Sequence, residues 1–236
     1  MHQADTGRLA LQQIERFVRG ERFAAYAAHE LRTPLATQRA LLELALADPR
    51  ADAATWREIG EDVLAACEQQ ERLLEACLTL ARSAGRRRRR EPVDLSAAAA
   101  EALRAHDPGG LERVVALEPA WTAGDPELIE RLAANLVSNA IRHNLLGGWI
   151  EIATRTASGR AHLTVANTGP RVPAGELRRL FEPFQRLAPQ RPGASEGVGL
   201  GLAIVEAVAG AHRAVMTARA RTGGGLGIDV AFPALQ

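Results

Sequence analysis

The chain has 236 residues, of which 29 are basic and 28 acidic, so its net charge is +1. Every basic residue is an arginine. This excludes the usual forms of the P-loop NTPases, the serine/threonine-type protein kinases and the pyridoxal enzymes, because each needs a lysine at its phosphate or cofactor. The near-zero charge argues against a general nucleic-acid binder, and we expect no nucleic-acid partner. Two cysteines, Cys67 and Cys77, do not make a disulfide framework, and no apolar run is long enough to span a membrane.

Residues 8–84 predict two long helices, because seam positions recur there at alternating spacings of three and four. The first ladder is Ile14, Phe17, Glu21, Ala24, Ala28, Leu31, Leu35, Gln38, Leu42 and Ala45, and the second is Ile59, Val63, Ala66, Gln70, Leu73, Cys77, Leu80 and Ala84. Residues 48–52 carry a proline and a capping candidate, so they separate the helices into an antiparallel hairpin. One hairpin cannot bury both stripes well, and we therefore expect a homodimer with a four-helix bundle.

Five consecutive arginines, Arg86 to Arg90, follow the second helix. Such a run is either a patch for nucleic acid or acidic membrane or a solvated linker, and the absence of accompanying aromatic residues favours the linker. We therefore divide the chain into an entry linker over 1–22, the hairpin over 23–85, a basic linker over 86–91 and a mixed domain over 92–236.

The mixed domain alternates helical and strand-like segments. We expect helices over 96–105, from Asp125 to about Asn144, over 176–181 and over 200–210. We expect strands over 114–117, 149–156 and 161–167, a loop over 185–196, and a final hairpin over 215–232 that turns at residues 223–225. Interleaved helices and antiparallel strands predict an α+β fold in which an α/β sandwich follows the helical hairpin.

The first chemical motif lies on the first helix, where His29 follows the seam position Ala28 and so lies on the solvent-facing flank of the stripe. Thr33 is one turn further along the same face. Pro34 has no N–H for the carbonyl of Glu30, so the helix should be bent or loosened beside the histidine. A lone surface histidine is usually unremarkable, but His-Glu-x-x-Thr-Pro on a dimerising helix is far more specific.

The second motif places Asn135, Asn139 and Arg142 on one helical face. They form either a polar outer face or a site in which amide oxygens meet Mg²⁺ and the arginine meets phosphate.

Two glycine motifs follow. Gly169, two residues after Asn167 at a strand end, allows backbone to approach a ligand closely. Gly197, Gly199 and Gly201 open a helix whose N–H groups suit an anion, although this signal is weak by itself.

Together these motifs resemble the cytoplasmic core of a sensor histidine kinase of a two-component system. The segment around His29 is similar to the H box, residues 135–144 to the N box and 167–169 to the first glycine box. Residues 180–184 are similar to the F box and 197–201 to the second glycine box. The resemblance covers nearly the whole chain and implies a Bergerat-type ATP-binding domain, as in gyrase, the ninety-kilodalton chaperones and mismatch-repair ATPases.

The resemblance also implies a role for each matching residue. His29 would accept the phosphoryl group, Glu30 would take the imidazole proton, and Thr33 would orient water when phosphate is removed from the partner. The ATP-binding residues would be these: Asn139 on Mg²⁺ with Asn135 beside it, Arg142 and His143 on the phosphates, Arg186 on the γ-phosphate, and Gly197, Gly199 and Gly201 in the lid. Gly169 and Asn167 would lie at the adenine.

Two positions depart from the family pattern. Asn167 replaces the usual aspartate, and its amide oxygen can accept the same bond from the adenine amino group, or its N–H₂ can meet a ring nitrogen or water. The bond would be weaker without the charge. His143 replaces the usual tyrosine and can still stack and donate.

The implied function is ATP-dependent autophosphorylation of His29 and transfer to an aspartate in the receiver domain of a response regulator, with regulator dephosphorylation left open. One alternative is a pseudokinase scaffold, supported only by Asn167. Another is a gyrase-type or heat-shock-type ATPase, which does not account for the hairpin. Because sensor and membrane segments are missing, we expect a cytoplasmic portion of an inner-membrane protein, anchored only through a missing N-terminal part.

Overall fold

The structure, a computed structural model, describes residues 2–85, 90–173, 175–185 and 199–235, with side chains described from residue 25 onward. The chain divides into two compact units, Met1–Cys77 and Leu78–Gln236. The predicted loop over 185–196, apart from Gln185, and the arginine run, apart from Arg90, lie outside the described residues.

The first unit is built on two long helices, α1 (His2–Ala47) and α2 (Ala53–Ala84). Asp52 caps α2, since its Oδ1 accepts hydrogen bonds from the Thr55 N–H at 2.9 Å and the Thr55 hydroxyl at 2.8 Å. These bonds hold the pKa of Asp52 below its ordinary value. Both predicted helices and the break between them are confirmed.

Two glutamines cross between α1 and α2. Nε2 of Gln38 donates to the Val63 carbonyl at 3.4 Å, and Nε2 of Gln70 donates to the Leu31 carbonyl at 3.4 Å. A step of seven residues back along α1 matches a step of seven forward along α2, as antiparallel helices require. Cys67 and Cys77 are free thiols, and burial raises the pKa of the Cys77 thiol.

The second unit contains three helices and seven strands among its described residues. In chain order they are β1 (Glu91–Asp94), α3 (Leu95–Ala105), β2 (Glu112–Leu117), β3 (Trp121–Gly124), α4 (Pro126–Arg142), β4 (Trp149–Ala157), β5 (Arg160–Asn167), a 3₁₀ turn (Arg179–Phe181), α5 (Gly201–Ala211), β6 (Val215–Ala220) and β7 (Leu226–Pro233).

Five strands form one sheet in the order β2-β4-β5-β7-β6, and β1 pairs with β3 separately. One face of the large sheet carries alternating buried side chains, among them Ile150, Ile152 and Leu163. The helices α3, α4 and α5 bring their own buried residues, such as Leu132 and Val205, to the same core. The predicted α/β sandwich is therefore confirmed.

Three expectations for this unit need correction. The helix predicted over 176–181 is wrong: those residues form turns and the short 3₁₀ segment. Gly175 and Pro183 confine the segment to residues 176–182, and a helix this short is only marginally stable. The strands are not all antiparallel, because β2 pairs with β4 in parallel; the intervening chain, which includes α4, supplies the crossover. The two-stranded sheet of β1 and β3 was not predicted.

Candidate functional site

His29 is exposed on α1, as its place beside the seam predicts. The Thr33 hydroxyl donates to the His29 carbonyl at 3.2 Å, and the Thr37 hydroxyl donates to the Thr33 carbonyl at 3.2 Å. Pro34 lies inside the helix and cannot donate to the Glu30 carbonyl. The backbone around the histidine is thus bonded by side chains where the regular helical pattern is interrupted.

Helix α4 carries the second group of predicted residues. Asp125 caps its start by accepting from the Leu128 N–H, and one face of the helix is buried against the core. Asn135 lies on another face, where its Nδ2 donates to the Arg131 carbonyl at 2.7 Å. Its Oδ1 lies against Gly201, where an added Cβ would come within 3.1 Å. The fold therefore brings Asn135 to the first residue of α5.

Asn139 lies one helical turn beyond Asn135 and is half-buried. Its side chain makes no hydrogen bond with any residue that the structure describes, so its amide oxygen is available to a ligand. Arg142 and His143, at the end of α4, are exposed. The phosphate and Mg²⁺ roles expected for Asn139, Arg142 and His143 stay predictions.

Asn167 ends β5 and is 4% exposed. Its Nδ2 donates to the Thr168 carbonyl at 2.7 Å. A carbonyl only accepts hydrogen bonds, so this contact fixes the amide nitrogen toward Thr168 and leaves the oxygen as the acceptor on the other side. Of the alternatives open for Asn167, this orientation favours acceptance from an adenine amino group.

Gly169 is buried, and a Cβ there would lie 2.5 Å from the His143 carbonyl oxygen. The glycine is therefore required by packing against protein backbone at the end of α4, in addition to any approach to a ligand.

A network that the sequence analysis missed joins the end of α4 to β4 and β5. The Thr168 hydroxyl donates to Asn144 Oδ1 at 2.6 Å and accepts from the Trp149 N–H at 2.8 Å. Asn144 Nδ2 donates to the carbonyls of Ala140 and Trp149 at 3.1 and 3.0 Å. These bonds fix the segments that carry His143 and Asn167 relative to each other. Sequence offered only a weak signal, a polar pair at the two segment ends.

Gly224 and Gly225, in the β6–β7 turn, were also missed as parts of the site. Both have positive φ, 93° and 95°, and an added Cβ on Gly225 would overlap the Asn167 carbonyl oxygen. The N–H of Gly225 donates to the Pro170 carbonyl at 3.0 Å. The available signal was the run of three glycines, which is longer than a tight hairpin turn needs.

The F box and the second glycine box meet through their backbones. The Phe184 N–H donates to the Gly199 carbonyl at 2.9 Å, and Gly199 has a φ of 74° that suits glycine. Phe184 itself has a φ of 65°, and Phe181 is buried. The predicted residues Arg186 and Gly197 lie outside the described residues.

Over the described ranges, no helix is apolar enough over a sufficient length to cross a bilayer. The same residues contain no group of three or more His, Cys, Asp or Glu side chains that could hold a metal ion.

Two family models match the chain in the expected order. Residues 21–86 match the His Kinase A (phospho-acceptor) domain, and residues 124–236 match the histidine kinase-, DNA gyrase B-, and HSP90-like ATPase family. The first match contains His29, and the second contains α4, the Asn167–Gly169 segment and α5. An ATPase without a phospho-acceptor domain does not account for both matches.

Relatives and solved structures agree. The sensor protein CutS of Streptomyces coelicolor is 45% identical over 236 residues, which is 98% of this chain and 57% of CutS. The solved structure of the histidine kinase AdeS of Acinetobacter baumannii has a TM-score of 0.67 at 23% identity, covers 88% of this chain and 98% of that one, and shows the shared fold. The mycobacterial sensor histidine kinase MprB has a TM-score of 0.55 at 28% identity, over 61% of this chain and 97% of its own.

The fold and the two matched domains define a protein-histidine kinase of the ATPase superfamily that includes gyrase B and HSP90. The chain belongs to the sensor histidine kinases of two-component systems. It spans about half the length of the curated relatives it matches. Nothing in these comparisons supports the scaffold alternative.

Proposed function

We propose that this chain transfers the γ-phosphoryl group of ATP to His29 and then to an aspartate in the receiver domain of a response regulator. The observation that carries the proposal is an exposed His29 on a helix interrupted by Pro34, in a chain that also holds an ATPase unit. In domain terms, residues 23–85 would be the dimerisation and phosphotransfer hairpin and 92–236 the ATP-binding domain.

The ATP site would be assembled from the ends of α4 and β5 and the start of α5. Asn167 Oδ1 would accept from the adenine amino group, while Asn135, Arg142, His143, Gly199 and Gly201 would lie along the phosphates. Roles for Arg186 and Gly197 remain predictions.

Magnesium fits this site through one protein ligand. Mg²⁺ commonly takes one or two protein oxygens, with substrate phosphates and water completing its shell, and the unbonded amide of Asn139 supplies such an oxygen. The cation would neutralise charge on the phosphates.

Phosphoryl transfer requires mainly that the protein position the reacting groups and neutralise the charge on the phosphates. One ring nitrogen of His29 would attack the γ-phosphorus as the bond to the β–γ bridging oxygen breaks and ADP leaves. Glu30, the next residue and half-buried, would accept the proton from the other ring nitrogen. If the chain also dephosphorylates the regulator, Thr33 would orient the water that removes the phosphoryl group.

The hairpin surface supports a homodimer. Ala28, Leu35 and Leu42 repeat every seven residues along one line of α1, and all three are exposed in the single chain. A second copy would cover this line and form a four-helix bundle. Light scattering that gives a monomer at micromolar concentration would remove this part of the proposal. Inner-membrane anchoring through a segment outside this sequence also stays a prediction.

Incubation with γ-labelled ATP tests the central step. The chain should take up label that is acid-labile and base-stable, and His29→Gln should abolish it. His106→Gln is the matched control, since that ring bonds the Ala102 carbonyl in the other unit and should leave labelling intact. Label that persists in His29→Gln would sink the assignment. Calorimetry separates kinase from scaffold, because a scaffold would show no ATP binding that depends on Asn139.

A further inference from the structure

Two glutamines occupy seam positions of the hairpin where apolar residues would pack equally well. Gln38 is 8% exposed, and Gln70 is half-buried on α2. Each side-chain amide donates a hydrogen bond to a backbone carbonyl of the opposite helix, that of Val63 for Gln38 and that of Leu31 for Gln70. Burying an amide in a seam is favourable only when such bonds are made.

The Gln70 contact falls on the turn that carries the proposed phosphoacceptor. The backbone carbonyls of residues 29, 30 and 31 differ in the hydrogen-bond donors they have. That of His29 accepts from the Thr33 hydroxyl, that of Glu30 lacks the donor that Pro34 cannot supply, and that of Leu31 accepts from Gln70. Gln70 therefore fastens this interrupted turn to α2 at the carbonyl next to the break.

Gln38 makes the same kind of contact one heptad further along α1, where the helix is regular. Its Nε2 also lies 3.5 Å from Cys67 Sγ. The two glutamines share the amide group, the seam position and the length of the bond to a carbonyl, whereas Gln38 bonds away from the proline-interrupted turn, is more buried and also contacts Cys67. This makes Gln38 an internal control for Gln70.

We propose that Gln70 is a positioning residue for His29. Its bond to the Leu31 carbonyl limits how far the turn over residues 29–34 can swing or unwind about Pro34, and so fixes the direction in which the imidazole is presented. The inference rests on the proposed function of His29 and adds a residue of α2 to the machinery of the hairpin. Gln70 acts through α1 and does not touch the reacting atoms.

The test compares Gln70→Met with Gln38→Met in the full chain. Methionine keeps the length of the side chain and suits the seam but cannot donate. Each variant is assayed for the rate of His29 labelling at varied ATP concentration, for thermal unfolding, and for hydrogen exchange of the backbone amides between residues 31 and 36 other than Pro34, which has none. Gln70→Met should lower kcat roughly three- to tenfold, the loss expected from one hydrogen bond, with KM for ATP unchanged.

Exchange should also rise locally over residues 31–36 in Gln70→Met. Gln38→Met should keep the kcat of the unaltered chain and the slow exchange at this turn, although both variants should lose similar thermal stability. Equal kcat values in the two methionine variants would overturn the inference while leaving the proposed function intact. Absence of labelling in the unaltered chain would instead refute the proposed function.

Discussion

The two units bury their side chains to very different extents. Among the described side chains of the first unit, those buried are Ala27, Gln38, Ala45 and Leu73, whereas Leu35 is 55% exposed. The second unit closes a core of fully buried residues between its sheet and three helices, including Leu132 and Ile152. The hairpin is thus built to be completed by another surface, while the ATPase unit supplies its own core. The proposed phosphoacceptor His29 lies in the open unit, where its side chain is exposed.

Among the described glycines, Gly225 has the closest approach to neighbouring backbone, and this predicts the largest single effect. Gly225→Ala would place a Cβ on the Asn167 carbonyl oxygen at a φ of 95°, and backbone on both sides cannot give way. We expect a loss of more than about 4 kcal/mol in the free energy of unfolding, together with lost ATP binding. Denaturant unfolding and calorimetry measure the two effects.

Gly223→Ala is the matched control, because a Cβ there meets nothing within 4 Å. It should be nearly neutral. Equal loss in both variants would show that the turn needs flexibility throughout, and the packing account of Gly225 would be wrong.

A pair of leucine truncations contrasts the closed and open units directly. Leu132 is 0% exposed, so Leu132→Ala should cost about 3 kcal/mol of unfolding free energy at any protein concentration. Leu35→Ala should change the unfolding of the dilute single chain by less than about 0.5 kcal/mol. It should instead raise the dimer dissociation constant, measured by analytical ultracentrifugation. If Leu35→Ala instead lowered the free energy of unfolding strongly at every protein concentration, the row of Ala28, Leu35 and Leu42 would already be covered within one chain.

The network that holds the site edges together predicts an intermediate effect. Thr168→Val keeps the shape but removes the hydroxyl, so the Trp149 N–H loses its acceptor and Asn144 Oδ1 keeps only its bond from the Leu145 N–H. We expect a loss of about 2 kcal/mol and weaker ATP binding, because Asn167 and His143 would no longer be held relative to each other. Thr156→Val is the control, since its hydroxyl makes one long contact, 3.4 Å, to the Pro119 carbonyl at the surface. Equal effects of the two variants on ATP binding would contradict the positioning role.

The elements that could be predicted from sequence are those formed by interactions between residues close together in the chain. The hairpin, α4 and the β4–β5 turn rest on local periodicity, caps and turn chemistry. The turn over Ser158 and Gly159, for example, shows the positive φ values of 51° and 72° that such hairpins favour. The histidine, the two amides of α4 and the glycine segments were found because each motif is continuous in sequence.

The missed features depend on residues distant in the chain. Thr168 and Asn144 are 24 positions apart, and Gly225 packs on Asn167 from the start of β7, a strand that is adjacent in the sheet but distant in the sequence. The β1–β3 pair joins segments that lie on either side of α3 and β2, and the parallel β2–β4 contact arises only once the chain through α4 has crossed the sheet. The amide orientation of Asn167 could not be chosen from sequence, because the Thr168 carbonyl that fixes it is set by the backbone path.

The smallest effect concerns Asp94, which joins β1 to α3 in the closed unit. Burial acts to raise the pKa of Asp94. Hydrogen bonds from the Ser96 hydroxyl, the Ala120 N–H and the Ser96 N–H outweigh it, so the pKa lies below its ordinary value. A carboxyl with a lowered folded-state pKa stabilises the fold above its unfolded pKa, and that contribution is lost as pH falls through the folded value. Asp94→Asn should therefore lose about 1 kcal/mol near neutral pH. The gap from the unaltered chain should close progressively below about pH 4, as urea unfolding at a series of pH values would measure.

Asp52 offers the comparison in the open unit, because its cap is exposed and makes bonds within one turn only. Asp52→Asn should therefore leave the unfolding of the second unit unchanged at every pH. A gap for Asp94→Asn that persists unchanged at pH 3 would show that the carboxylate charge contributes nothing and that the amide fails for steric reasons.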